Sequence, residues 1–159
     1  MDINKIILQM ETRLDEKKAL LDRIMIVTKN QVDTIKNKEF DHLVRTTEQK
    51  DLLIRKIDDC DIKFLELVEL IKEVLHIESL ENIEIAKYPE FGEVKKKVAG
   101  IIELITEIKS IDDKNIENAR SLKLETDKKV GEIRTSKKVK SAYDVHKENK
   151  KAVFFDKKT

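Results

Sequence analysis

The residues that could take part in catalysis or metal binding are few and widely separated. The densest group is Asp58, Asp59, Cys60 and Asp61, which supplies three carboxylates and a thiol. On a helix only Asp58 and Asp61 would share a face, whereas zinc needs about four converging ligands and a hard cation needs about six or more oxygens. We therefore predict no metal site here and interpret Cys60 as a small, semi-buried residue.

The histidines do not suggest a catalytic pair either. His42 and His76 stand at the ends of helical segments and His146 lies near the end of the chain, none with a Ser, Cys or carboxylate at a spacing that suggests a nucleophile and its base. The three glycines are isolated, so the sequence contains no glycine-rich phosphate loop. We predict that the protein is not an enzyme and needs no cofactor.

The composition favours long helices. Charged residues make up 41% of the chain, while glycine occurs three times and proline once, and Lys and Glu favour helix over strand. The single cysteine excludes an intrachain disulfide. The first residues lack the features of a signal peptide, and no apolar run approaches the roughly 18 residues of a membrane span. We expect a cytoplasmic protein that does not insert into a membrane.

Two heptad seams predict the first two helices. Apolar residues recur at alternating spacings of three and four from about Asp2 to Asn37 and again from about Asp41 to His76. Because polar side chains interrupt these seams, we expect the far end of the first helix to pack less tightly. The interruptions are Lys17, Thr28 and Gln31 in the first seam, and Lys50 and Asp61 in the second.

A short turn is predicted between the two seams. We expect Asn37 to end the first helix in a left-handed cap, Asp41 to cap the second, and Phe40 to pack across the tip. A connection this short makes the helices antiparallel neighbours. Ile24 and Ile54 are about equally far from the turn and should lie near each other.

A third long helix is expected after the break at residues 76–93, with Pro89 in its first turn. Its apolar face runs from Val94 to Ile133 but thins after Asp112, so its second half should be poorly covered by the hairpin. Gly100 lies inside this helix and costs about 1 kcal/mol relative to alanine, unless it allows a close helix approach.

The predicted fold is therefore all-α: a long antiparallel helical hairpin plus a third long helix, in a coiled-coil-like bundle over residues 1–135, followed by a flexible basic tail over 136–159. From Arg134 onward, nine basic and three acidic residues give a net charge of +6. Such a tail could contact nucleic acid, but no nucleic-acid motif accompanies it and acidic residues are interspersed.

Asn115 and Asn118, in the stretch "NIENARSLK", would share one face of the third helix because they are three residues apart. Asparagine is a poor helix former, so two on one face need a reason. They either lie on an exposed surface or form a pair of amides that bind a partner chain.

Four sequence features together resemble the FlgN family of flagellar type III export chaperones. One is the opening hairpin, Leu14 to Ile57, with a Gln near the end of its first helix and a central Lys in its second. The others are "NIENARSLK", "SAY" at residues 141–143 and the closing "FFDKK" at residues 154–158. The chain departs from the family pattern in the polar continuation "ARSLKLETDKK" and in lacking glycines between Tyr143 and Asp156.

The resemblance implies a binding function without catalysis. Members of this family keep hook-associated proteins export-ready in the cytoplasm by binding their C-terminal helices, and they work with the flagellar export apparatus. It implies client contacts in the third helix and the tail. The candidate client-binding residues are Ile108, Asn115, Asn118, Leu122, Tyr143, Phe154 and Phe155.

Three other interpretations stay open. The chain could be a structural coiled-coil tether or dimerisation protein, although the interrupted seams and the break at Pro89 argue against that. It could be a chaperone for another flagellar client, such as the filament cap protein or flagellin. A nucleic-acid-binding tail on a helical bundle is the third.

Overall fold

The computed structural model describes residues 2–126, and these form an all-α bundle, as predicted. Helix α1 spans Ile3–Lys36, α2 spans Phe40–Leu75 and α3 spans Phe91–Thr126, with a 3-10 helix at Leu80–Asn82 between α2 and α3. No strand occurs in this part of the chain. Helix α1 packs against both of the other long helices, so it forms the centre of the bundle.

The turn between α1 and α2 lies where it was predicted, but its caps differ. Lys38, and not Asn37, adopts the left-handed conformation, with φ of 58° against −85° for Asn37. The N–H of Lys38 donates to the carbonyl of Ile35 and the N–H of Glu39 to that of Thr34, both at 3.0 Å. This is the Schellman pattern, which sets the left-handed residue one position later than expected.

The start of α2 also differs from the prediction. Glu39 occupies the N-cap position and makes no side-chain cap hydrogen bond, so Asp41 lies inside the first turn, where its charge still favours the helix N-terminus. Phe40 packs against a small cluster formed by Ile35, Leu43 and Ala119, which confirms its expected place at the hairpin tip.

The register of the hairpin follows from two polar contacts. Lys17 meets Asp61 at 2.7 Å and Gln31 meets Thr46 at 2.9 Å, so α2 runs antiparallel to α1. Ile24 of α1 lies midway between these contacts and belongs to the same core cluster as Ile54. The predicted pairing about the turn is therefore confirmed.

Helix α3 runs parallel to α1. Near its start Lys97 pairs with Asp15 at 2.7 Å, and about five turns later Asn115 donates to the carbonyl of Thr28 at 3.0 Å. The helix begins at Phe91, so Pro89 lies in the turn just before it and not in its first turn. Phe91 is buried at this end of the bundle.

Helix α3 is packed against the hairpin as far as Ala119, which corrects the expectation of poor cover there, whereas no described residue after Ala119 is buried and Leu124 is 78% exposed. Asp112, Asn115, Ile116 and Ala119 are all buried. The apolar face thins in the sequence because polar and small residues replace large apolar ones, yet those residues still face the hairpin. The expectation of loose packing at the far end of α1 was wrong for the same reason, since Thr28 and Gln31 are buried.

Gly100 does not serve a close approach of helices. A Cβ placed on it would meet no atom within 4 Å, and its backbone is helical and exposed. We therefore expect Gly100→Ala to raise the free energy of unfolding by about 0.5–1 kcal/mol, measured by urea denaturation. A loss of stability would mean that another element approaches this position.

Candidate functional site

An apolar groove lies between α2 and α3, and its lining contains no residue of α1. The segment that contains the 3-10 helix closes one end of it. The groove encloses about 320 Å³, at the lower end of the roughly 300–1,000 Å³ typical of ligand pockets. Its main apolar lining residues are Phe64, Val68, Phe91, Val94, Val98 and Ile102.

The depth of these side chains gives the groove a fixed floor and an accessible rim. Phe64, Val68, Phe91 and Val94 are at most 2% exposed, so the core of the bundle holds them in place. Val98 and Ile102 are half-buried and Ala99 is exposed at the opening. A surface of this form can accept a few apolar side chains from one face of a helix.

One side of the groove is contributed by α2 and the following loop, a segment that is acidic overall. Residues 64–86 contain six glutamates and one lysine, a net charge of −5. Glu78 and Glu81 are at the groove itself, together with Lys72 and Lys95. The charges at the groove itself balance, and the net negative charge of the surrounding segment favours a partner that carries basic residues beside its apolar ones.

Inside the bundle, the polar residues that interrupt the seams pair with each other across helices. Lys17 of α1 contacts Asp61 of α2 through Nζ and Oδ1 at 2.7 Å, and both side chains are at most 5% exposed. Lys50 of α2 contacts Asp112 of α3, also at 2.7 Å. Each of these ion pairs thus supplies a buried, directional contact between two helices.

The second ion pair extends into a hydrogen-bonded layer. Lys50 also donates to Oε1 of Gln31 at 3.1 Å, and the Gln31 amide donates to Oγ1 of Thr46 at 2.9 Å. Asn115 donates to the carbonyl of Thr28 in the same region. All three helices therefore meet in one polar layer, which we call the three-helix polar layer.

Burial shifts the pKa values of these groups. Desolvation raises the pKa of Asp61 despite the attraction of Lys17, and raises that of Asp112 despite Lys50. It lowers the pKa of Lys50 for the same reason. Oδ2 of each carboxylate accepts no hydrogen bond from the described residues. Ion pairing thus offsets only part of the cost of burying the charges.

The structure separates the candidate client-binding residues. Ile108 and Asn115 are inside the bundle, Leu122 is half-buried against the small cluster at the hairpin tip, and Asn118 is exposed. Asn115 and Asn118 therefore do not form one exposed pair of amides, because the first is used within the bundle. The remaining candidates, Tyr143, Phe154 and Phe155, lie outside the described residues.

Sequence reasoning missed the groove, although a signal for it exists. Val94, Val98 and Ile102 follow one another at spacings of four and form a second apolar stripe on α3. The principal stripe, which includes Ile101 and Ile105, faces the core. When the apolar stripe of a helix is wider than the part that packs into the core, the remaining apolar residues indicate an additional contact.

Cys60 is buried and lies near Glu16, with Sγ 3.7 Å from Oε2. Burial and the nearby carboxylate raise the pKa of the thiol, which lowers its reactivity. Asp61, its neighbour in the acidic group, is engaged by Lys17. Residues 2–126 contain no group of three or more His, Cys, Asp or Glu side chains placed to hold a metal ion.

Within the described part of the chain, no helix combines the length and the apolar character needed to cross a bilayer. A scan against protein-family models, a search of curated proteins and a search of solved structures each found no significant match to this chain.

Proposed function

We propose that this chain is a cytoplasmic export chaperone of the FlgN type, which binds the C-terminal helical region of a hook-associated protein without catalysing a reaction. The observation that supports the proposal best is the apolar groove between α2 and α3. Its floor is rigid and its rim is accessible, which is what the binding of an apolar helix face requires. The sequence features shared with the family supply the identity of the client.

The groove is suited to reversible binding. Burial of one large apolar side chain contributes roughly 1.5–3 kcal/mol, and a volume of about 320 Å³ admits only a few such side chains. Association also costs translational freedom and side-chain ordering. We therefore expect an affinity in the micromolar range, which suits a chaperone that must release its client for export.

The buried ion pairs argue against the alternative of a structural tether. In a tether, the seams of α1 and α2 would be available to another chain. Here the charged interruptions of both seams form ion pairs within one chain, as in the contact of Lys17 with Asp61. The groove is then an apolar surface that remains available to a partner.

The proposal predicts that a long charged side chain in the groove weakens client binding. Ala99 is exposed at the groove, so Ala99→Arg should leave the fold intact while its side chain blocks the opening. Titration calorimetry with the C-terminal region of a hook-associated protein should show at least about a tenfold rise in Kd, equivalent to about 1.4 kcal/mol.

Ala19 offers a matched control, because it is an exposed alanine in the middle of α1. Ala19→Arg adds the same charge and volume outside the groove and should leave Kd unchanged. Equal affinities for the two variants would place the client elsewhere. Binding of the filament cap protein or flagellin in preference to hook-associated proteins would keep the groove as the site but change the client.

A further inference from the structure

The chain carries a segment that is opposite in net charge to the segment on one side of the groove. The segment from Arg134 to Thr159 has a net charge of +6, whereas residues 64–86, the segment that contributes one side of the groove, carry −5. Opposite charges of this size steer two surfaces together and fix their orientation.

The same segment supplies suitable apolar groups. Phe154 and Phe155 follow Val153, and lysines precede and follow this trio. Burying one phenylalanine contributes roughly 1.5–3 kcal/mol. An apolar trio between basic residues is the complement of an apolar floor beside an acidic segment.

The segment is also long enough for Phe154 to reach the groove. Phe154 follows the end of α3 at Thr126 by 28 positions, and Val98 at the groove precedes Thr126 by 28 positions. A run of 28 residues spans about 42 Å even if it is wholly helical, which equals the length of α3 between Val98 and Thr126. Any more extended path reaches further.

We propose that residues 134–159 of the chain seat Phe154 and Phe155 in the groove of their own molecule when no client is bound. The client then has to displace them. This inference rests on the proposed function only where it treats the groove as the client site. Whether the tail occupies the groove can be measured without a client. It gives the two phenylalanines a role opposite to the direct client contact that the family resemblance implies.

Disulfide trapping tests the contact in the full-length chain. Ala99→Cys at the groove is combined with Ala152→Cys, two residues before Phe154, in a Cys60→Ala background whose melting temperature is checked. The control combines Ala152→Cys with Ala19→Cys on α1. In dilute protein under mild oxidation, we expect the groove pair to form an intrachain disulfide several times faster than the control pair.

Adding Phe154→Ala and Phe155→Ala should reduce the rate of disulfide formation in the groove pair to the rate in the control pair. Equal rates for the two pairs from the start would overturn the proposal. Disulfides that form only between chains would also overturn it, because the occupant would then be a second copy of the protein.

Client binding supplies an independent measurement. If the tail fills the groove in about 90% of free molecules, it raises the apparent Kd for a client about tenfold. We therefore expect Phe154→Ala with Phe155→Ala to bind the C-terminal region of a hook-associated protein about 3–10-fold more tightly than the natural chain. Weaker binding would contradict the displacement. If no variant binds the client, the proposed function fails while the trapping result still decides whether the tail occupies the groove.

Discussion

Replacing Asp112 by alanine is expected to lower the free energy of unfolding by about 3–5 kcal/mol, a large part of the 5–15 kcal/mol typical of a protein. The reason is the position of Lys50, which is 2% exposed and meets Asp112 at 2.7 Å. Without Asp112 the ammonium group stays buried beside the amide of Gln31 but loses its counter-charge. Urea denaturation followed by circular dichroism measures the loss.

Asp113 is a matched control, because it is the next residue and its partner Lys109 is on the surface. That pair lies at 3.2 Å with the Asp113 side chain 59% exposed, and exposed pairs contribute about 0–1 kcal/mol. Asp113→Ala should therefore change stability by less than about 1 kcal/mol. If Asp112→Ala and Asp113→Ala lower the free energy of unfolding by equally small amounts, Lys50 must reach water or another carboxylate. The three-helix polar layer would then not hold α3 as described.

The hairpin could be predicted from the sequence because its determinants are local. The heptad spacings specify which face of each helix is buried, and the short connection forces α2 back along α1. The pairing of Ile24 with Ile54 follows from symmetry about that turn alone. The caps were less predictable, since the left-handed position could fall on Asn37 or on Lys38, and backbone hydrogen bonding favours Lys38.

The polar layers could not be predicted, because their partners are distant in the sequence. Lys17 and Asp61 each look like a defect when one seam is considered alone, and Lys50 and Asp112 are 62 positions apart. Pairing becomes visible only when the register of all three helices is known. The same holds for Asn115, whose amide is used by a backbone carbonyl of α1 and not by a partner chain.

The groove was missed for a related reason. Val98 and Ile102 belong to the apolar side of α3, but the sequence does not show which apolar residues the hairpin covers. In the structure α3 packs against α1 and Ile101 is buried in the core, whereas Val98 and Ile102 remain only half-buried. The separation of two helices is a tertiary property that no single helix encodes.

The largest gain in stability is expected from removing both buried ion pairs together. The variant carries Lys17→Met, Asp61→Leu, Lys50→Met and Asp112→Leu. Burial raises the pKa of both carboxyl groups and lowers that of Lys50. A carboxyl group whose pKa rises on folding is harder to ionise in the folded state than in the unfolded state, and so is an amine whose pKa falls. Keeping these groups charged therefore costs folding free energy. Apolar pairs of similar volume should therefore raise the free energy of unfolding by about 1–4 kcal/mol per pair.

The same variant should lose structural specificity. With the ion pairs in place, any other register of α1 against α2, or of either helix against a second chain, leaves Lys17 or Asp61 buried without its counter-charge. Once apolar residues replace these four charges, only Thr28 and Gln31 still interrupt the first seam, and alternative registers and intermolecular bundles become closer in free energy to the native bundle. Light scattering after size-exclusion chromatography should show larger and more heterogeneous species than the natural chain forms. A four-residue variant that is more stable but keeps the natural size and a single sharp elution peak would show that the turn at Lys38 and the connection before Phe91 are enough to fix the register, and that the ion pairs are not needed for it.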